Sequence, residues 1–244
     1  MNMNLESLIT DLKGIHFRYP GGKAILNHLD FKFYRGDRTG LIAPNGSGKT
    51  TLFHLIMGLI KPVSGQIELF GKSVTTEKDF EEVRRRIGLL FQDPDDQLFS
   101  PTVMEDVAFG PLNLGKSKKE AQNIARRTLA NLDLEGFEDR ITFKLSGGEK
   151  RLVSLATVLA MEPEVLLLDE PLNGLDVDTR LRIADIISHL DMSYIIISHD
   201  IDFLLSATNQ IYTIKDGKIL FDDKLQIHVH RHVHLHGQYP HEHE

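Results

Sequence analysis

The chain contains no cysteine. Disulfide frameworks and thiolate metal sites are therefore excluded. It also lacks an unbroken apolar run of about 18 residues, the length that spans a bilayer. The opening stretch, MNMNLESLITDLKG, has no basic flank followed by an apolar segment, so a secretory signal is not expected. Together these absences point to a cytoplasmic chain. Positive charge is in short supply as well: the formal net charge is -7 with histidines neutral. Bulk electrostatics gives no support to nucleic-acid binding, and no nucleic-acid partner is expected. With no amphipathic anchor visible, any attachment to a membrane should run through a protein partner.

The 244 residues suit one α/β domain with a large core. In Asn27–Tyr34 apolar residues alternate, with Leu29, Phe31 and Phe33 on one face and His28, Asp30 and Lys32 on the other, which reads as a strand. Gly21-Gly22 marks a turn between it and Gly14–Tyr19. Thr39–Ala43 is a short apolar run that ends in a Gly-rich loop, and from Lys49 to Leu59 the spacing becomes helical. Gln66–Phe70 and Ile87–Phe91 read as strands, with a charged helix over Glu77–Arg86 between them. From about 94 to 142 the chain is rich in helix formers, notably Lys118–Leu132, with turn signals at Ser100-Pro101 and Gly110-Pro111. This predicts a helical insertion between core strands. A helix over Gly148–Met161 follows, then the apolar runs Val165–Leu168 and Ile195–Ile197 separated by a helix over Val177–Leu190. Ile211–Ile214 and Lys218–Phe221 flank Asp216-Gly217, a hairpin turn. Strands alternating with helices predict a mainly parallel sheet.

Chemistry enters at Ala43-Pro44-Asn45-Gly46-Ser47-Gly48-Lys49-Thr50-Thr51. Gly46 and Gly48 let successive backbone N–H groups turn toward one anion. The helix behind them adds its N-terminal donors and dipole. Lys49 supplies a cation for the β- and γ-phosphates and Thr50 an oxygen for Mg²⁺. The usual pattern begins with glycine, and Ala43 departs from it. A second anion-binding turn is offered by Ser146-Gly147-Gly148-Glu149 at the start of a helix, where Ser146 also suits a simple N-cap. The two loops stand about a hundred residues apart, and one nucleotide in a compact monomer cannot easily use both. Val165–Leu168 delivers Asp169 and Glu170 to a strand end, where open α/β sheets bind ligands. Asp169 suits a Mg²⁺ shell and Glu170 a base or water-orienting group. A similar strand ends in Ser198-His199-Asp200.

These residues, in this order, resemble the ATP-binding-cassette ATPases from about Gly14 to Phe221. The signature loop is matched by LSGGE, with Glu149 where glutamine is commoner. The strand-end acids are matched by LLLDEP, the D-loop by Asn173-Gly174-Leu175-Asp176, the switch histidine by His199 and the Q-loop by Phe91-Gln92-Asp93-Pro94. The resemblance implies an α/β fold with a P-loop NTPase core: a mainly parallel sheet, an N-terminal antiparallel β part and the inserted helical subdomain, the ATPase domain running over 1–227. It implies ATP and Mg²⁺ as cofactors and a head-to-tail dimer with a second copy. Tyr19 would stack on adenine, while Asn45, Gly46, Ser47, Gly48, Lys49, Thr50 and Thr51 would hold the phosphates. Thr50, Gln92 and Asp169 would serve Mg²⁺, and Glu170, His199 and Gln92 would be catalytic. Ser146, Gly147, Gly148 and Glu149 would close over the partner's ATP, and Asp176 would link the two sites.

The stretch Gln92–Gly115 is similar to the ATPase subunits of energy-coupling-factor importers, above all those for cobalt and nickel. Its acids, mixed with exposed-looking Phe99, Val103 and Phe109, suit a groove for a helix of an integral membrane subunit. The expected work is ATP-driven import of a transition-metal ion at the cytoplasmic face of the cell membrane. The alternatives are a vitamin or other small solute, or a soluble non-transport cassette. The last segment, 228–244, is low in complexity and carries seven of the 12 histidines. His228, His230, His232, His234 and His236 alternate with other residues and form a candidate transition-metal site.

Overall fold

The computed structural model describes residues 7–42, 44 and 46–221. The His-rich segment 228–244, together with Ala43 and Asn45 of the phosphate loop, lies outside them. The N-terminal part forms a 4-stranded antiparallel sheet of order β2-β1-β4-β5, from β1 (Leu8–Arg18), β2 (Ala24–Tyr34), β4 (Ser64–Leu69) and β5 (Lys72–Ser73). The second sheet is 6-stranded, of order β10-β9-β3-β8-β7-β6, from β3 (Arg38–Ile42), β6 (Ile87–Leu90), β7 (Val165–Asp169), β8 (Ser193–Ile197), β9 (Gln210–Lys215) and β10 (Lys218–Phe221). Its strands pair in parallel except at the β9–β10 hairpin. Asp216 and Gly217 turn that hairpin with φ of 51° and 73°, the double left-handed geometry expected of Asp-Gly between strands.

The strands β6, β7 and β8 are continuous apolar runs because both faces of this sheet are covered. Side-chain alternation sorts them. Val165, Leu167, Ile195 and Ile197 join a core shared with the antiparallel sheet and α1 (Lys49–Ile56). Leu166, Leu168, Tyr194 and Ile196 join a second core under α3 (Val103–Asn113), α4 (Lys118–Asn131), α5 (Gly147–Leu159), α6 (Val177–Ser188) and α7 (Ile201–Ala207). Helices α3 and α4 lie in sequence between β6 and β7 and pack on α5. Together with α2 (Glu77–Arg84), helices α3, α4 and α5 open with reciprocal capping boxes: Thr76–Asp79, Thr102–Glu105, Ser117–Glu120 and Ser146–Glu149. Each such cap contributes about 1 kcal/mol by satisfying donors the helix cannot use itself.

Two sequence readings are corrected. Gly110-Pro111 is not a turn but lies within α3. Proline is tolerated there late in the helix, and Pro111 is buried. Gly110 lets α3 approach the Met161 side chain so closely that a Cβ would meet its Cγ at 2.5 Å. Val103 is not exposed. It is the first residue of α3 and is fully buried, whereas Phe99 and Phe109 are exposed.

At the end of the sheet opposite the strands' C-termini, Glu164 accepts from Arg86 at 2.5 Å and from Arg35 at 2.8 Å. Arg86 stacks at 3.4 Å over Phe70. The Arg86 hydrogen bond, helped by Arg35, holds the Glu164 carboxyl down at about 2, from 4.5. The ionised form is therefore favoured by folding. This contribution is complete above pH 4.5 and disappears as pH falls toward 2. In thermal melts across that window, the wild type should lose stability faster than Glu164→Gln. Parallel pH profiles would remove Glu164 from acid stability.

Candidate active site

The C-terminal ends of β3, β7 and β8 meet at one edge of the parallel sheet, because Leu41 pairs with Ile197 and Ile197 with Asp169. The loop after β3 leads into α1. Gly48 is the residue before that helix, at φ 97°, and a Cβ there would meet Ile25 at 2.7 Å and Leu26 at 2.8 Å. Only glycine fits both conformation and space. The turn aims Lys49, itself 8% exposed, back across the strand ends.

There the side chains converge. Lys49 Nζ lies 2.8 Å from His199 Nε2 and 3.4 Å from Glu170 Oε1, and His199 Nε2 lies 3.1 Å from the same Glu170 oxygen. Thr50 Oγ1 donates to Asp169 Oδ2 at 2.7 Å. The second oxygen of Asp169, Oδ1, is buried without a hydrogen-bond partner. Burial pushes the Asp169 carboxyl up, against the Thr50 hydrogen bond that lowers it. A divalent cation fits this place: it would take the orphaned oxygen and the Thr50 hydroxyl, and its charge would offset the cost of burying the carboxylate. Glu170 is held at φ 46°, in the left-handed region, with its N–H donated to Ile197 at 2.9 Å. Non-glycine residues hold that conformation at a cost of about 1–3 kcal/mol, and such strain concentrates at functional sites.

A cavity of about 520 Å³ opens over this cluster, lined among others by Tyr19, Ile25, Lys49, Thr51, Gln92 and Asn173. Tyr19 is half exposed and packs edge-on against Phe17 at 5.0 Å. Gly46, Gly48, Thr50, Asp169, Glu170 and His199 also border it. Ser47 lies between those glycines, its hydroxyl buried without a partner. None of Ser146, Gly147, Gly148 and Glu149 lines this cavity. They sit at the start of α5, where the Glu149 carboxylate accepts from Ser146 N–H at 2.8 Å and from Arg140 at 2.8 Å. The Ser146 hydrogen bond, seconded by Arg140, holds Glu149 below the usual carboxylate range. Asp176 caps α6 through Thr179 N–H at 3.0 Å, and that bond holds its carboxyl down too. A second cavity, of about 650 Å³, separates Thr50, His54 and Asp169 from Gly147 and Arg151. Gln92 borders both cavities.

Sequence reasoning missed Ile25 in the cavity wall and Arg140 behind Glu149, and it named Asn173 only as part of the D-loop. Ile25 comes from the antiparallel sheet and Arg140 from the loop ahead of the signature turn, and no local pattern marks either.

The comparisons with known proteins agree with this geometry. The sequence model of the ABC transporter family matches residues 26–173. A putative ABC transporter ATP-binding protein of Nitratidesulfovibrio vulgaris is 49% identical over 236 residues, covering 96% of this chain and 86% of the relative. The energy-coupling factor transporter ATP-binding protein EcfA of Methanocaldococcus jannaschii is 44% identical over 216 residues, 87% of this chain and 77% of the relative. Among solved structures, cbiO1 from Clostridium perfringens, part of the ABC transporter complex cbiONQ, superposes with a TM-score of 0.78 at 34% identity over 88% of each chain. A dimeric ATP-binding cassette in a post-hydrolysis state with ADP and Pi also reaches 0.78, at 26% identity, over 86% of this chain and 96% of that one. The chain belongs to the ABC transporter family. It is an ATP-hydrolysing cassette of that family, and it takes ATP with Mg²⁺.

Asp169→Asn should abolish most of the gain in nucleotide affinity that Mg²⁺ gives, about tenfold or more. Titration of a fluorescent ATP analogue with and without Mg²⁺ measures this. An undiminished Mg²⁺ effect would place the cation elsewhere.

Proposed function

We propose that this chain is the ATPase subunit of an energy-coupling-factor importer that brings a transition-metal ion, cobalt or nickel, into the cell. The observation that carries the reading is the separation of the two anion-binding loops. The cavity over Lys49 gathers Thr50, Asp169, Glu170 and His199, yet the Ser146–Glu149 turn stands outside it. A second copy, packed head to tail, completes the pocket. In that pocket Tyr19 stacks on adenine, Lys49 and the backbone from Asn45 to Thr51 hold the phosphates, and the partner's signature loop closes from the far side. Thr50, Asp169 and Gln92 would hold Mg²⁺, which would supply positive charge beside the transferring phosphoryl group. Glu170 polarises the attacking water and His199 donates to the γ-phosphate. ATP must draw Lys49 out of its pairing with both, so binding itself frees the two groups for chemistry. Asp176 links the sites across the dimer. Residues 1–227 act as one ATPase domain.

No helix among the described residues is long and apolar enough to cross a membrane. We place the chain on the cytoplasmic face, held by integral membrane subunits. Phe99 and Phe109 meet edge to face at 4.8 Å and are exposed, as are Asp93, Asp95 and Asp96 a few positions ahead of Phe99 in sequence. This mixed surface suits an amphipathic helix with a basic residue. The related names energy-coupling factor transporter and ABC transporter complex support a transport role; the ion rests on the resemblance over Gln92–Gly115 and on the alternating histidines after residue 227. The alternating imidazoles of His228, His230, His232, His234 and His236 are the candidate ligands for such an ion.

Glu170→Gln should keep ATP affinity within about twofold, lower kcat by about a hundredfold or more, and accumulate a dimer with ATP. Size exclusion with ATP and steady-state ATPase assays read both, and near-normal turnover would reject the role of Glu170. Uptake of Ni²⁺ and Co²⁺ by cells carrying the chain with its membrane subunits tests the cargo, and truncation after Lys224 tests the histidines. Uptake of neither ion would point to a vitamin or another small solute.

A further inference from the structure

Arg151 is among the largest fully buried side chains of the protein, 2% exposed, on the first turns of α5. Its guanidinium donates to Phe91 O at 2.6 Å and to Gln92 O, while its Nε is buried without a partner. Gln97 ties the same segment from the other side. Its Oε1 accepts from Phe91 N–H at 3.2 Å, and its Nε2 donates to Ser154 O at 2.8 Å and Thr157 Oγ1 at 2.7 Å, both on α5. Lys150 adds a bond to Asp95 at 2.6 Å. The segment from Phe91 to Gln97 is thus fastened along the helix that carries the signature turn. The 650 Å³ cavity is lined by this segment and by Gly147 and Arg151 of the helix, with Thr50 and Asp169 also in its wall.

Burying a guanidinium takes a charge out of water, and replacing such a buried charge by an apolar side chain of similar volume is often neutral or stabilising. A bidentate grip on two successive carbonyls gives something else, a fixed geometry between helix and loop. Burial pulls the Arg151 pKa down, while Asp93 and Asp169 oppose that and keep the cation favoured.

We propose that Arg151, seconded by Gln97, is a positioning residue that makes Gln92 and the Ser146–Glu149 turn one rigid unit, so that the two reach their nucleotides together or not at all. This rests on the ATPase reading above. When the signature turn closes on the partner's ATP, α5 carries the backbone of Gln92 with it and sets that side chain over Thr50 and Asp169 in its own site. Nucleotide affinity, set by Lys49 and the phosphate loop, does not pass through this tie; turnover does.

Arg151→Lys keeps the charge but cannot hold both carbonyls in the same fork. It should leave the affinity for a fluorescent ATP analogue within about twofold while kcat falls by about tenfold. The melting temperature should stay close to that of the wild type. Because the chain has no cysteine, spin labels placed at Asp96→Cys and Lys144→Cys report the geometry of the unit directly. The distance between them should be single and narrow in the wild type and should broaden in Arg151→Lys. Gln97→Leu, at a half-buried position, should change kcat and the distance in the same direction to a smaller extent, and carries the test if Arg151→Lys does not fold. Wild-type kcat with an unchanged distance in the variants overturns the proposal. So does a parallel fall of affinity, kcat and melting temperature, the mark of a merely structural role. A wild-type chain without ATPase activity would instead refute the ATPase reading, with the label distances still reporting on the tie.

Discussion

Parallel pairing of β3 with β8 and of β8 with β7 sets Leu41, Ile197 and Asp169 at one level. The candidate site sits within a few residues of that level. The phosphate loop leaves just after Ile42, Glu170 follows Asp169, and His199 lies two residues beyond Ile197. A one-residue slip in either pairing would turn every inward side chain to the opposite core. It would also move a carboxylate by about 3.3 Å along the strand, out of reach of Lys49 or Thr50. The two hydrophobic cores, one on each face, hold that register, so packing and catalytic geometry are the same constraint.

The motifs that could be read directly are those whose partners are backbone groups nearby in sequence. The glycines ahead of Lys49, the acids ending Val165–Leu168 and the Asp216-Gly217 hairpin each announce a local conformation. The strands β7 and β8 follow, to within two residues, from continuous apolar runs, and α4 from its run of helix formers. Gly110-Pro111 and Val103 were misread because their surroundings are tertiary. The Met161 side chain decides the first, and the core beneath α3 decides the second. Arg151 and Gln97 carry no local signal at all: each bonds a segment about sixty positions away or bridges to one. A buried cation on an otherwise apolar helix face looks in sequence like any solvated arginine.

Connections across the molecule divide into two kinds. Exposed ion pairs such as Arg127–Glu162 and Lys72–Glu82 are worth about 0–1 kcal/mol each and hold little. The ties that use backbone carbonyls as acceptors, from Arg151 and Gln97, are shielded and directional. The fold therefore has stiff joints and soft ones, and the stiff joints surround the groups that must stay aligned to about half an ångström for chemistry.

The left-handed backbone at Glu170 has a bearing on how its replacements are interpreted. A β-branched residue at φ 46° would clash with its own carbonyl and pull the strand end out of shape. Its phenotype would then mix a lost carboxylate with a displaced Asp169. Asparagine and glycine, which tolerate that corner, err the other way by relaxing it. Among side chains of matched length and branching, only the amide isolates the electrostatic role from the conformational one.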